Sequence, residues 1–185
     1  MCKNLEQLIV GHCAPTLAGL KIANLFCYPY RDVLSLNNDL VKLKKLLRVK
    51  GLNFKLIKRC SKKCQIYIYR EQMLLKTLQQ KDVARFLKKY NYPQSLDKAL
   101  SHLANRFTSC NEFPHELGVF LGYPLADVKG FIKHGGKNFV CSGCWKAYSN
   151  KDKAEKLFTK YKKCKQVYIK CYKNGTPISR LTVAA

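Results

Sequence analysis

The sequence predicts a single α+β domain over residues 1–185, with an antiparallel or mixed sheet built from hairpins and packed against several amphipathic helices. Three observations carry this. The length of 185 residues suits one domain. Strand-like segments come as local hairpins rather than as the repeated strand–helix alternation of a doubly wound sheet. The middle of the chain is a run of helical patterns, and no internal repeat, low-complexity tract or Gly/Ser/Pro-rich linker divides it.

The elements follow in order. Pro15 predicts a helix start, since proline suits the first helical position, with Leu17, Leu20 and Leu25 after it at roughly helical spacing. Asp39 is expected to cap a second helix carrying Leu40, Leu43 and Leu47 and ending at Gly51. Phe54 to Arg59 and Gln65 to Arg70 read as two strands around the polar loop 60–64; the second, with Ile66-Tyr67-Ile68-Tyr69, is rich in β-formers. Asp82 is expected to cap a helix with Val83, Phe86 and Leu87 on one face. Ser95 caps another, with Leu96, Ala99, Leu100, Leu103 and Phe107. Pro114 opens a short helix that Gly122 closes, and Pro124 opens the next, with Val128, Phe131 and Ile132 inward. A strand is expected within 138–148, then a helix with Ala154, Leu157, Phe158 and Tyr161. The end reads as a hairpin. Val167, Ile169 and Cys171 alternate with Tyr168, Lys170 and Tyr172, Asn174-Gly175 matches a type I′ turn, and Ile178 to Val183 returns.

The net charge of +24 attracts phosphate polyanions and acidic surfaces. Lysine, however, far outnumbers arginine, the better fork for specific phosphate contacts, and the lysines are spread along the whole chain. No apolar run reaches the roughly 18 residues of a membrane span. The segment from Met1 to Glu6 has no long apolar stretch before a small-residue cleavage site, which predicts no signal peptide and a cytoplasmic protein. In that compartment the ten cysteines are expected as reduced thiols.

Three constellations carry candidate chemistry. His12-Cys13-Ala14-Pro15-Thr16, read as lying directly before a helix, puts Cys13 at a positive dipole end that favours thiolate, with His12 as base or ligand. Phe113-Pro114-His115-Glu116 places His115 and Glu116 in a first helical turn. The dipole there stabilises the carboxylate and keeps the imidazole neutral, able to accept a proton or bind a metal. Neighbouring His and Glu project in different directions, so they are not a ready-made metal pair. Cys141-Ser142-Gly143-Cys144 is a C-x-x-C pair, a redox or zinc half-site whose partner would be Cys60 and Cys64. His102 falls off the apolar stripe of its helix and is expected to be exposed. Phosphate loops, dinucleotide fingerprints, H-E-x-x-H and G-x-S-x-G are absent.

Phe113-Pro114-His115-Glu116, Leu121-Gly122-Tyr123-Pro124, the segment His12 to Lys21 and Gly143-Cys144-Trp145-Lys146-Ala147-Tyr148 resemble the bacterial domain of unknown function numbered 3793, common in anaerobic Firmicutes. The resemblance spans nearly the whole chain. It implies a reducing, anaerobic cytoplasm and supplies no activity and no cofactor. Thr16, Lys21 and Tyr123, in the same segments, are candidate ligand-binding residues.

These readings point to a small-molecule or metal/cofactor site where His12-Cys13 meets His115-Glu116. Cys13 would be thiolate or soft ligand, His12 and His115 base or ligands, and Glu116 a base or orienting partner. One alternative is a nucleic-acid-binding module using the lysine surface, with Tyr67, Tyr69, Tyr168 and Tyr172 as stacking faces. Another is a protein-interaction adaptor without catalysis.

Overall fold

A computed structural model describes residues 3–109 and 113–184. Met1 and Cys2, on which part of the leader reading rests, lie outside the described residues. The chain runs through α1 (Lys3–Leu17), β1 (Ala23–Pro29), α2 (Val33–Arg48), β2 (Leu52–Arg59), β3 (Lys63–Arg70), α3 (Glu71–Leu78) and α4 (Lys81–Lys88). It continues through α5 (Leu96–Ser109), α6 (Leu117–Phe120), α7 (Leu125–His134), β4 (Cys141–Ser142), β5 (Lys146–Ala147), α8 (Lys151–Lys173) and α9 (Ile178–Leu181). The fold is α+β, as expected.

The larger sheet is antiparallel in the order β1-β3-β2, with β3 central. Its side chains alternate between two cores. Cys64, Ile66 and Ile68 enter the core shared with α1, α2 and α9, while Tyr67 and Tyr69 enter the core made with α3 to α7. A central strand covered on both faces reads as near-continuous apolar sequence, as this one does. Tyr67 is fully buried and donates from its hydroxyl to the Phe120 carbonyl at 2.6 Å, which ties the sheet to α6.

Four sequence expectations are corrected. Pro15 does not open a helix; it lies in the last turn of α1. The helix forms upstream because Leu5, Ile9, Val10, Cys13 and Leu17 share one buried face, and each such aliphatic side chain stabilises by about 1.5–3 kcal/mol. Gly19, at φ 72°, ends the helix: its N–H bonds the Thr16 carbonyl and that of Leu20 the Pro15 carbonyl, a Schellman pattern. Leu25 consequently belongs to β1. Asp39 is not a cap but a buried residue within α2, reached by the Tyr28 hydroxyl at 3.3 Å; Asp32 caps that helix by accepting from Ser35 N–H at 2.8 Å. Asp82 stands in the first turn of α4, one residue inside the helix that follows Gln80.

The expected C-terminal hairpin is helix. Tyr161, Cys164, Tyr168, Cys171 and Tyr172 recur at helical spacing and turn inward, while Val167 is exposed. A type I′ turn needs positive φ at both central residues. Asn174 has φ −81° and only Gly175, at φ 89°, is left-handed; Thr176 N–H bonds the Cys171 carbonyl. Asn174-Gly175 is therefore the C-terminal cap of α8.

Arg70 closes this part of the fold. It is buried and donates to the carbonyls of Thr16 and Leu17, each at 2.7 Å, and of Val183 at 2.9 Å. The orphan carbonyls at the negative end of α1 thus meet a cation.

Candidate functional site

The Pro-His-Glu segment forms the tight turn that leads into α6. Leu117, Gly118 and Val119 N–H groups bond the carbonyls of Pro114, His115 and Glu116 at 3.0, 3.2 and 3.0 Å. The two side chains of interest part company there. Glu116 is 1% exposed and accepts from Arg106 Nε and from the Tyr92 hydroxyl. Burial, and then the Glu116 charge beside it, push the Tyr92 hydroxyl far up. Glu116 is thus the internal counter-charge of Arg106. His115 is exposed, its ring 4.9 Å from Phe131 and 5.5 Å from Phe113, and among the described residues its nitrogens make no hydrogen bond.

The Leu-Gly-Tyr-Pro segment is the stop of α6. Gly122 has φ 79°, its N–H bonds the Val119 carbonyl, and Tyr123 N–H bonds Gly118 O at 2.9 Å. A Cβ at Gly122 would also meet Ile22 at 3.0 Å, so only glycine suits the position. The turn aims Tyr123 at the β4–β5 hairpin. Its ring stacks on Trp145 at 5.0 Å, and its hydroxyl donates to the Cys144 carbonyl at 3.2 Å. Lys21 Nζ lies 5.2 Å from the centre of the same ring and donates to the Ala23 carbonyl. Burial brings the Lys21 amine from the ordinary 10.5 down to about 8. It pushes the Tyr123 hydroxyl up to about 12.

Asp127 holds the hairpin against α7, and sequence reading gave no sign of it. Its Oδ1 accepts from Tyr148 N–H, Ser149 N–H and the Ser149 hydroxyl at 2.8, 2.9 and 2.7 Å, and its Oδ2 from Trp145 Nε1 at 2.8 Å. Three donors crowd Oδ1 and one reaches Oδ2, which commits the carboxylate to the hairpin. Close packing seats the hairpin's other side, where Gly143 lies so near Phe158 that a Cβ would fall 2.4 Å from the ring.

Between α6, α7 and this hairpin lies a cavity of about 240 Å³. Phe113, Tyr123, Phe131 and Trp145 give it aromatic walls, and His115 and Lys146 also line it. A larger hollow of about 730 Å³ lies between α3, α4 and α5, and its walls carry none of the motif residues.

The His12-Cys13 pair sits elsewhere. Cys13 is in the last turns of α1, 0% exposed, and burial pushes its thiol up to about 12. It lies at the negative end of a helix, so the dipole argument for a thiolate is reversed. His12 stacks on Phe26 at 5.7 Å, and burial, then Lys165, lower its pKa. Among the described residues no hydrogen bond, ion pair or ring contact joins His12 or Cys13 to His115 or Glu116. Thr16 is buried and donates to Asn24 Oδ1 at 2.7 Å.

The C-x-x-C thiols face different partners: Cys141 the Lys151 carbonyl at 4.0 Å, Cys144 the charges of Lys21 and Lys165. Cys2 and Cys110 lie outside the described residues; the other eight cysteines are free thiols. Among the described residues no three His, Cys, Asp or Glu side chains are grouped as a metal ion requires. His102, expected to be exposed, is half-buried with Nε2 2.9 Å from the Tyr90 carbonyl. Tyr67 and Tyr69 are buried packing residues, and Tyr168 and Tyr172 lie on α8 against the core, so these rings form no shared stacking face. Among the described residues no helix is long and apolar enough to cross a membrane.

Fold and cavity together define an α+β domain that carries a small aromatic pocket closed by a β-hairpin. The chain belongs to the family described as protein of unknown function (DUF3793), which matches residues 9–182. No curated protein and no solved structure matches it.

Proposed function

We propose that this protein binds a small molecule in the cavity between α6, α7 and the β4–β5 hairpin. The observation that carries this is the convergence on one 240 Å³ space of four aromatic side chains and a histidine that makes no hydrogen bond among the described residues. A concave, mostly apolar pocket with few polar groups is the usual form of a ligand site. Tyr123 and Trp145 seat a flat body, and His115 supplies the hydrogen bond that orients it. Where the ligand is a substrate, His115 is also the group placed to take a proton. Glu116 and Arg106 fix the turn that presents His115. Lys21 lies against Tyr123, while Cys13 packs in the core on the other face of the sheet and Thr16 is spent on Asn24. The reducing cytoplasm inferred from sequence suits eight free thiols.

Native mass spectrometry of protein purified anaerobically from its own type of host tests this. A discrete extra mass, lost in His115→Ala while circular dichroism stays unchanged, is the expected result. A bare polypeptide mass, with no thermal shift against a panel of aromatic metabolites, removes the proposal. A second reading has one observation in its favour. Lys153, Lys156, Lys160, Lys163 and Lys170 are all exposed along α8, a cationic surface for polyanions. Binding of duplex or single-stranded nucleic acid that survives physiological salt would support it.

A further inference from the structure

We infer, building on the proposed cavity, that its ligand is a planar aromatic anion of one or two rings, carrying a carboxylate or similar group at the rim. Three observations lead there. The first is size: a cavity of roughly 150 Å³ admits a benzene ring, so 240 Å³ takes a larger flat body. Stacked Tyr123 and Trp145 offer such a body a ready-made wall, since aromatic pairs favour offset contact.

The second is the hydrogen-bonding capacity left unused. Among the described residues Asp127 is the carboxylate in the lining; it is buried, and its oxygens already receive four donors from the hairpin. It is committed to the hairpin rather than to a ligand amine. Lys146 does have capacity. Its ammonium spends one N–H on the Gly136 carbonyl at 2.8 Å, which leaves two of its three donors. His115 keeps both ring nitrogens free of hydrogen bonds among the described residues. The spare polar capacity is therefore mainly that of donors, one of them cationic.

The third is preorganisation. Lys146 Nζ is held 5.0 Å from the centre of the Phe139 ring as well as by Gly136. A long lysine normally loses side-chain entropy when it grips a ligand. Here much of that freedom is already spent. Exposed Lys133, in the last turn of α7, and Lys137 just beyond it add to the same sign of potential, as does the net charge of +24.

Titrations of the full chain with 2-naphthoate and, in parallel, 2-naphthamide separate charge from shape. Affinity is read by calorimetry. The site is read from the indole N–H signal of Trp145, the single tryptophan of the chain. The expected result is a shifted indole signal and about ten-fold tighter binding of the anion, since a charge-assisted hydrogen bond contributes more than a neutral one. That preference collapses in Lys146→Gln, which keeps a donor but not the charge, and weakens in His115→Ala. Equal affinity for acid and amide, with the indole signal shifted, overturns the anion inference and leaves the cavity reading standing. A preference that persists in Lys146→Gln also overturns it, since general surface charge would then be the cause. Failure of both probes to move the indole signal overturns the cavity reading and the inference with it.

Discussion

The ammonium of Lys21 lies 5.2 Å from the centre of the Tyr123 ring, so the His12–Lys21 segment and the Leu-Gly-Tyr-Pro segment do meet, though not through His12 or Cys13. Lys21 is 6% exposed, and among the described residues its direct partners are the Ala23 carbonyl and that ring. A buried ammonium without a carboxylate is costly. Its folded pKa, about 8, is below the ordinary 10.5. The unfolded chain thus binds more protons between those values, and this residue's penalty is full below pH 8 and relieved as pH rises through 10.5. Lys21→Met is expected to raise stability at pH 7 by about 2 kcal/mol, the lost carbonyl and ring contacts offsetting part of the gain. Urea unfolding at pH 7 and pH 10 checks it. The gap between variant and parent should narrow at the higher pH; a gap independent of pH would show that Lys21 is not a strained cation.

Arg70 is the opposite case, a buried cation that donates to carbonyls at the end of α1 and beside α9. Arg70→Met is expected to cost about 3 kcal/mol, because three carbonyls lose a charged donor at once, with Thr16 O and Leu17 O left only their backbone N–H partners. Denaturant melts measure it, and a loss under 1 kcal/mol would mean that water replaces the guanidinium.

Asp127→Asn removes the charge that gathers Trp145, Tyr148 and Ser149. An amide has one acceptor oxygen and would set an N–H against another donor. The hairpin should loosen, with a loss of about 2 kcal/mol and a red shift of tryptophan emission. Unchanged emission would show that packing against Phe158 alone seats the hairpin.

Thiol reactivity should follow burial. Cys13 and Cys64 are buried and pushed up to about 12 and about 11, whereas Cys27, Cys60 and Cys144 are exposed. Iodoacetamide at pH 8 on the native protein, followed by peptide mass spectrometry, should modify the exposed three and spare the buried two. Modification of Cys13 as fast as Cys60 would revive a thiolate at that position.

The β2–β3 hairpin, α5 and α7 were legible because each shows one period over a full element. The C-terminal segment was not. Val167, Ile169 and Cys171 alternate over too few residues to exclude a helix, and only the longer series from Tyr161 to Tyr172 decides. Pro15 misled because its preference for helix starts outweighed the apolar stripe before it. At the site, His115 and Tyr123 were visible through their motifs. Asp127 was invisible, since an acidic residue in a first helical turn has a local explanation already. Its role comes from residues 18 to 22 positions further along the chain that return to it.

The packing of α1 against α8 sets an order of events on the ribosome. The helix that covers the apolar stripe of α1 is synthesised long after it, following every strand of both sheets. Until residues 151–173 appear, that stripe rests on β1 and β3 without its main helical partner. A nascent chain should carry this unsatisfied helix while the residues between α1 and α8 are made, making it a client for chaperones that hold exposed apolar helices.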